Sequence, residues 1–385
     1  MLDMSNHTVP NKLTNKHRIK TSQNKDYDIY FTTEVDDKYC DILKAILGDR
    51  QHLIVSTPTV AEIYTNNLLD TIGADHESKN YMVLDCSEKS KSTEKVLQVC
   101  ERAQEIQMDR EGILVGIGGG VCTDIVTVAA SWLRRGINYV RIPTTLVGQI
   151  DAAIGIKGGV NLNGMKNYLG CFHPPLAVLI APFYLRTLPH QQLKSGLAEI
   201  LKIAIVGEPC LFELIENHYC ELIESGFTYP GKISGEVLLR SIDAMMNELE
   251  GNIFENQSYR RKVDFGHTIS PALETACSYN LTHGEAVAVD IALCSVLAKH
   301  MGLLKSDICT RILSMLLDIG LPIWLPMLSL NLCQKALQEM SLHRGGKPNL
   351  VVPVEIGDVT FIEKLEDIPL DLLKNSICEL KHIRA

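Results

Sequence analysis

The chain has 385 residues, length for two to three domains at about 150 residues each. Hydrophobic residues make up 46% and charged residues 22%, ordinary globular usage that excludes wholesale disorder. With 37 Lys and Arg against 46 Asp and Glu, the net charge is −9 without a long basic run. That argues against nucleic acid or an anionic membrane surface as partner, so an anionic substrate must meet a local basic pocket.

Residues 1 to about 25 are polar and rich in Asn, Lys, Thr and Ser, which predicts a mobile extension. They lack the apolar run of a secretory signal. No uncharged run approaches the ~18 apolar residues of a membrane span. From Tyr27 onward, strand patterns at Ile29–Thr32, His52–Ser56, Tyr81–Asp85 and Gly112–Ile117 alternate with helical ones at Val60–Leu69 and Ser92–Glu105. This alternation predicts an α/β domain over 26–185 with an open, mostly parallel, Rossmann-like sheet. The texture changes near Pro182–Pro189. Leu193–His218, Gly235–Glu250, His283–Met301 and Ser306–Ile319 have helical spacing, and strand signals return only at Asn349–Pro353. A mainly α-helical domain over 186–385 is expected, with the site in the cleft between the two. The 12 cysteines contain no CxxC pair and no close cluster, which favours reduced, buried thiols in a cytoplasmic protein.

Three segments carry chemistry. In the first, the strand ending at Ile117 runs into Gly118-Gly119-Gly120-Val121, and Asp124–Arg134 then has helical spacing. Strand, glycine turn and helix N-terminus together form an anion-binding unit. It is neither GxGxxG nor a P-loop, and a tight strand–helix turn is the other reading. In the second, RIPTTLVGQIDAAIGIKGGVNLNGMKNYLG places Thr144, Thr145, Asp151, Lys157, Lys166 and Asn167 among glycines, just after a short strand. Glycine-rich backbone with two lysines suits a phosphorylated or polyhydroxylated ligand; a flexible loop with solvated lysines is the alternative.

The third segment pairs Glu199 with Lys202 at i, i+3 on a helix, and adds His267 in DFGHTISPALE and His283 in LTHGEAVAVD. Two histidines and a glutamate are the right set for a catalytic divalent cation with an open position. Spacing alone leaves a plain helix ion pair and helix-start histidines as the rival explanation.

Taken together, GGGVCTDIVTVAAS, RIPTTLVGQIDAAIGIKGGVNL, MKNYLG, FYLRTLPHQQLKSGLAEILK, DFGHTISPALE and LTHGEAVAV closely resemble the dehydroquinate synthase superfamily of sugar phosphate cyclases. The resemblance runs from about residue 50 to 360. It implies NAD on the α/β domain and one divalent metal, zinc or cobalt, held by Glu199, His267 and His283. By motif position NAD would meet Gly119, Gly120, Val121 and Asp124, with Thr144, Thr145, Lys166 and Thr187 nearby. Glu88 and Lys91 would stand at its adenosine end. Asp151, Lys157, Asn167, Lys202, Arg260 and Asp264 would hold the substrate. Arg135 would reach the neighbouring site of a homodimer.

Departures from dehydroquinate synthases lie among the substrate contacts. Asp264 stands where they carry Asn, Pro271 where they carry His, and Met246 where they carry Lys. SLHRGGKPN replaces a double-lysine stretch. Loss of a lysine suits a substrate without a carboxylate. DFGHTISP resembles the branch acting on sedoheptulose 7-phosphate. That implies transient oxidation by NAD, β-elimination of phosphate, reduction, ring opening and intramolecular aldol closure. The 2-epi-5-epi-valiolone type is favoured over the desmethyl-4-deoxygadusol type. A 3-dehydroquinate synthase, a metal-dependent polyol dehydrogenase and an inactive NAD-binding scaffold are the remaining alternatives.

Overall fold

The computed structural model describes residues 26–64 and 78–384. The expected N-terminal extension, and the end of the helix expected at Val60–Leu69, lie outside the described residues. Six strands form one parallel sheet: β1 (Asp28–Phe31), β2 (His52–Ser56), β3 (Tyr81–Val83), β4 (Ile113–Gly118), β5 (Asn138–Pro143) and β8 (Ala177–Ile180). Their order is β1-β8-β5-β4-β2-β3. β4 and β8 are buried along their whole length. Continuous apolar runs are what a strand covered on both faces requires. Helix α1 (Asp37–Leu47) covers one face, and α2 (Thr93–Glu105) and α3 (Gly120–Trp132) the other.

The glycine-rich segment after Pro143 is more ordered than a loop. A wide helical turn at Gly148–Ala152 presents Asp151, and an antiparallel hairpin follows, β6 (Lys157–Leu162) and β7 (Met165–Phe172). Leu162 pairs with Met165 across Asn163-Gly164, both at positive φ. Asn-Gly is the residue pair that such a two-residue turn favours. The hairpin packs on α3, and a Cβ at Gly158 would lie 2.7 Å from the Thr127 side chain.

The second half is helical: α4 (His190–Gly207), α5 (Pro209–Glu224), α6 (Gly231–Leu249), α7 (Ser270–Ala276), α8 (His283–His300), α9 (Ser306–Ile319), α10 (Leu330–His343) and α11 (Leu370–Arg384). The expected single helix Leu193–His218 is two, broken at Glu208-Pro209, because proline lacks the N–H that would continue α4. A strand pair, β9 (Leu350–Glu355) and β10 (Asp358–Ile362), closes the chain's last third; only the first had a sequence signal. Residues 286–298 of α8 are all buried. A helix apolar on every side belongs at the centre of its domain, and α8 packs against α4, α7, α9 and α11. Among the described residues no helix is long and apolar enough to cross a membrane. No disulfide joins any of the 12 cysteines.

Candidate active site

A cleft of about 1060 Å³ runs between the carboxyl edge of the sheet and the helical half. It lies where open α/β sheets bind ligands and at the upper end of ordinary small-molecule pockets. On the sheet side, β4 ends at Gly118 and α3 starts at Gly120. A Cβ at Gly119 would lie 3.0 Å from the Thr145 side chain, and one at Gly120 would lie 3.4 Å from Ala152. No side chain caps α3, so its first N–H groups stay available to an anion in the cleft. These features fit a dinucleotide's pyrophosphate.

Every residue expected to meet the cofactor lines this cleft. Thr144 follows β5 and bonds through its N–H to Gly118 O at 3.0 Å. Thr187 shares a 2.5 Å hydrogen bond with the Tyr64 hydroxyl. Lys91 is buried and donates to Asp124 at 2.5 Å and to Asn167 at 2.6 Å. Glu88 accepts from Asn161 at 3.1 Å. Asn167, expected among the substrate ligands, thus stands in the cofactor-side cluster.

Deeper in the cleft, Glu199, His267 and His283 converge. One ligand atom from each lies within 4.8 Å of the others. Close packing creates this arrangement. Gly284 donates to Ser195 Oγ at 2.9 Å, and a Cβ on Gly284 would come 2.1 Å from Ser195 O. This brings the start of α8 against α4, one turn before Glu199. Glu199 is fully buried, and burial alone would raise its pKa. Lys202 and the two histidines override that and hold it well below the carboxylate range. The Lys202 Nζ lies at 2.7 Å and His283 Nε2 at 3.0 Å. His267 Nε2 stands 3.5 Å away, so Lys202 and both imidazoles converge on one buried carboxylate. A buried carboxylate facing two imidazole nitrogens fits a divalent cation.

The histidines differ. Burial, with Lys202 beside it, pushes His267 down to about 4, which leaves the ring neutral, as a metal ligand must be. For His283 burial acts downward too, but Glu274 outweighs it and lifts the ring to about 9. Glu274 Oε1 sits 2.9 Å from His283 Nδ1, and its Oε2 accepts from Lys166 at 2.5 Å. A carboxylate behind a ligand histidine orients the ring and strengthens it as a ligand.

The cationic wall needs one correction. Arg260 was expected to face the phosphate, but it is exposed, pairs with Glu363 and lies over the Phe361 ring outside this cleft. Arg261 occupies the cleft instead, pairing with Glu255 and bonding Asp264 at 2.7 Å. Arg344, from the SLHRGGKPN stretch, reaches Asp264 from the other side at 2.8 Å. Burial would raise the Asp264 pKa, and these two arginines hold it low. Lys157 pairs with Glu255, and Lys202 bonds Asp151 at 3.0 Å. Similarly, Met246 is exposed, while its neighbour Met245 is buried and lines the cleft. Successive helical residues point about 100° apart, so a one-residue step decides which faces the site. Pro271 lines the cleft as well. Arg135 lies outside it, exposed at the end of α3.

Glu274, Arg261, Arg344 and Glu255 were not singled out from sequence. Only Glu274 carried a visible signal, as a lone acid in the apolar stretch SPALETA. The others were polar residues in polar loops.

Over residues 81–195 the chain matches the 3-dehydroquinate synthase N-terminal family, and over 196–342 the 3-dehydroquinate synthase C-terminal family. It is 39% identical over 358 residues to the 2-epi-5-epi-valiolone synthase of Streptomyces glaucescens, which covers 91% of this chain and 90% of that one. It is 32% identical over 355 residues to the 3-dehydroquinate synthase of a Thermoanaerobacter species, covering 91% and 97%. The solved structure of ValA, the 2-epi-5-epi-valiolone synthase of Streptomyces hygroscopicus subsp. jinggangensis with NAD+ and Zn2+ bound, matches with a TM-score of 0.89 at 36% identity. That match covers 95% of this chain and all of the other, 100%. With the N-terminal and C-terminal family models both matched and a relative 39% identical over nine-tenths of its length, the chain belongs to the 3-dehydroquinate synthase family.

Proposed function

We propose that this chain is a 2-epi-5-epi-valiolone synthase. It converts sedoheptulose 7-phosphate to the carbocycle with release of phosphate, using NAD and one divalent metal, zinc or cobalt. The observation that carries this reading is the cleft itself. It joins an anion-binding glycine turn, a buried Glu199 flanked by two histidines, and a set of cations, in a chain 36–39% identical to several 2-epi-5-epi-valiolone synthases. When bound, NAD supplies a hydride acceptor that is restored within each turnover, and the cation supplies a Lewis acid for the substrate's carbonyl.

The chain's own residues do the rest. Gly119, Gly120 and the start of α3 seat the pyrophosphate, and Lys91 fixes Asp124 and Asn167 beside it. Glu199, His267 and His283 would hold the metal, and Glu274 orients His283. Burial acts to discharge Lys202, but Asp151 and Glu199 outweigh it and keep its Nζ protonated. That buried ammonium is a fixed positive charge against a departing oxyanion. Lys157 and Arg261 are the cations for the phosphate, and Glu255 neutralises both of them in this structure. The wall beside them is apolar, with Met245, Leu249, Ile253 and Val263. A carboxylate on the substrate would meet no lysine there, which suits a neutral heptulose skeleton.

The enzyme is expected to be a homodimer in the cytoplasm. Arg135 is exposed and does not line its own cleft, and Tyr168 and Phe172 on β7 expose large apolar surface. The free cysteines suit a reducing compartment.

The test is direct. Purified protein with NAD, Zn2+ or Co2+ and sedoheptulose 7-phosphate releases phosphate without net NADH, and mass and NMR spectra identify 2-epi-5-epi-valiolone. Turnover of 3-deoxy-arabino-heptulosonate 7-phosphate in place of the heptulose would overturn the substrate, and a gadusol-type product would reassign the branch.

A further inference from the structure

Helix α8 carries a carboxylate that the chemistry above does not use. Asp290 lies seven residues, two turns, beyond His283, and its side chain is fully buried. A carboxylate is costly to bury unless its oxygens are satisfied. Oδ2 accepts three successive backbone N–H groups, from Thr268 at 2.8 Å, Ile269 at 2.6 Å and Ser270 at 3.0 Å. Oδ1 faces the Cys294 thiol at 3.4 Å. The three N–H groups belong to the entry of α7, whose own preceding residue, Ile269, provides no side-chain cap. Asp290 therefore does from another helix what a local cap does in sequence.

The loop held this way also bears His267. It crosses α8 at Gly266, where φ is +74° and a Cβ would come 3.0 Å from Val287 and 3.1 Å from Ile291. Ser270 Oγ then closes the loop onto Gly266 O at 2.7 Å. His267 is clamped between a close approach on one side and the Asp290 bonds on the other. Both anchors sit on the helix whose first residue is His283.

We propose that Asp290 is a positioning residue for the metal centre: by holding the 268–270 amides it fixes His267 relative to His283, so that one helix sets the separation of the two imidazoles. This rests on the reading of Glu199, His267 and His283 as a divalent-cation site.

The test uses the full chain and Co2+. Asp290→Asn keeps the shape and removes the charge; Asp290→Leu removes the acceptor. Three quantities are read: Co2+ affinity by chelator competition, the visible spectrum of bound Co2+, and amide hydrogen exchange over 267–270 in metal-free protein. Asp290→Asn is expected to bind Co2+ about tenfold more weakly and Asp290→Leu up to about 100-fold more weakly, the range seen for groups that orient metal ligands. Both shift the spectrum and accelerate exchange at Thr268, Ile269 and Ser270. Wild-type Co2+ affinity and spectrum in Asp290→Asn would overturn the proposal even if the variant melts at a lower temperature, because a purely structural cap moves the melting temperature alone. That outcome is decisive whether or not Asp290→Leu folds. His283→Ala tests the underlying reading: wild-type Co2+ binding there removes the metal centre, while the metal-free exchange data still report whether Asp290 anchors the loop.

Discussion

Arg141 in β5 has no solvent exposure, and no carboxylate answers its charge among the bonds it makes. Its guanidinium instead gathers the backbone that leads into the hairpin. It donates to Gly155 O at 2.6 Å, to Lys157 O at 2.7 Å, to the Thr127 hydroxyl at 2.8 Å, and more weakly to Ala152 and Ala153 O at 3.3 Å. It thereby ties down residues 152–157, which begin beside Asp151 and end at Lys157, both lining the cleft. Arg141→Met keeps the aliphatic stem and removes every donor. Three strong acceptors lose their partner, at about 1–3 kcal/mol per buried unsatisfied group, or about 3–9 kcal/mol in all. Removing a buried, unpaired cation recovers several kcal/mol of desolvation. The net loss is expected to be about 2–4 kcal/mol, a large part of a typical stability of about 5–15 kcal/mol. Urea unfolding should show a lower midpoint at unchanged slope, and KM for the sugar phosphate should rise as Asp151 and Lys157 lose their fixed register. A stability within about 0.5 kcal/mol of wild type, the range of neutral surface changes, together with an unchanged KM, would refute this account.

Other outcomes follow from the same geometry. Arg261→Ala should raise KM for the phosphorylated substrate at least about tenfold, the effect of losing one charged hydrogen bond of about 1.5–3 kcal/mol. Arg260→Ala should remain near wild type in the same steady-state assay, and the reverse order would return the phosphate contact to Arg260. Glu274→Gln should weaken Co2+ binding about 10–100-fold, measured by chelator competition. It should also change acid stability. Burial would raise the Glu274 pKa, but His283 and Lys166 hold it at about 2, below its ordinary 4.5. The stabilisation is therefore complete above about pH 4.5 and is lost as pH falls toward 2, at most about 3 kcal/mol. Unfolding measured across that window should be flatter in Glu274→Gln; an identical acid limb would remove the coupling.

Several elements were legible in sequence because their signals are local. β4 read as a strand from its unbroken apolar run, and α9 matched Ser306–Ile319 because its apolar stripe recurs at helical spacing; β8, equally apolar, was not singled out. The glycine turn after β4 was visible because strand, glycines and helix are contiguous. The hairpin β6–β7 was read as a loop although Asn163-Gly164 marks its turn, because glycine at 158, 159, 164 and 170 masks strand alternation. Arg260 and Met246 were each one residue from the side chain that lines the cleft. Motif position fixes a residue in the chain, whereas the backbone's rotation decides which neighbour points inward.

The opening charge balance shows the same division. Composition and periodicity determined an acidic, two-part α/β and helical protein, and ordered motifs determined its family. They could not show that its cations converge, since Lys157, Lys202, Arg261 and Arg344 come from separate elements. Nor could they show that Asp290 holds the loop of His267, or that Glu274 stands behind His283, because those bonds join different helices and loops whose relative placement is set by packing. Only the packing of α8 against α4 and α7 decided these pairings. There, glycine at 266 and 284 lets the backbones approach closely enough for the charges to meet.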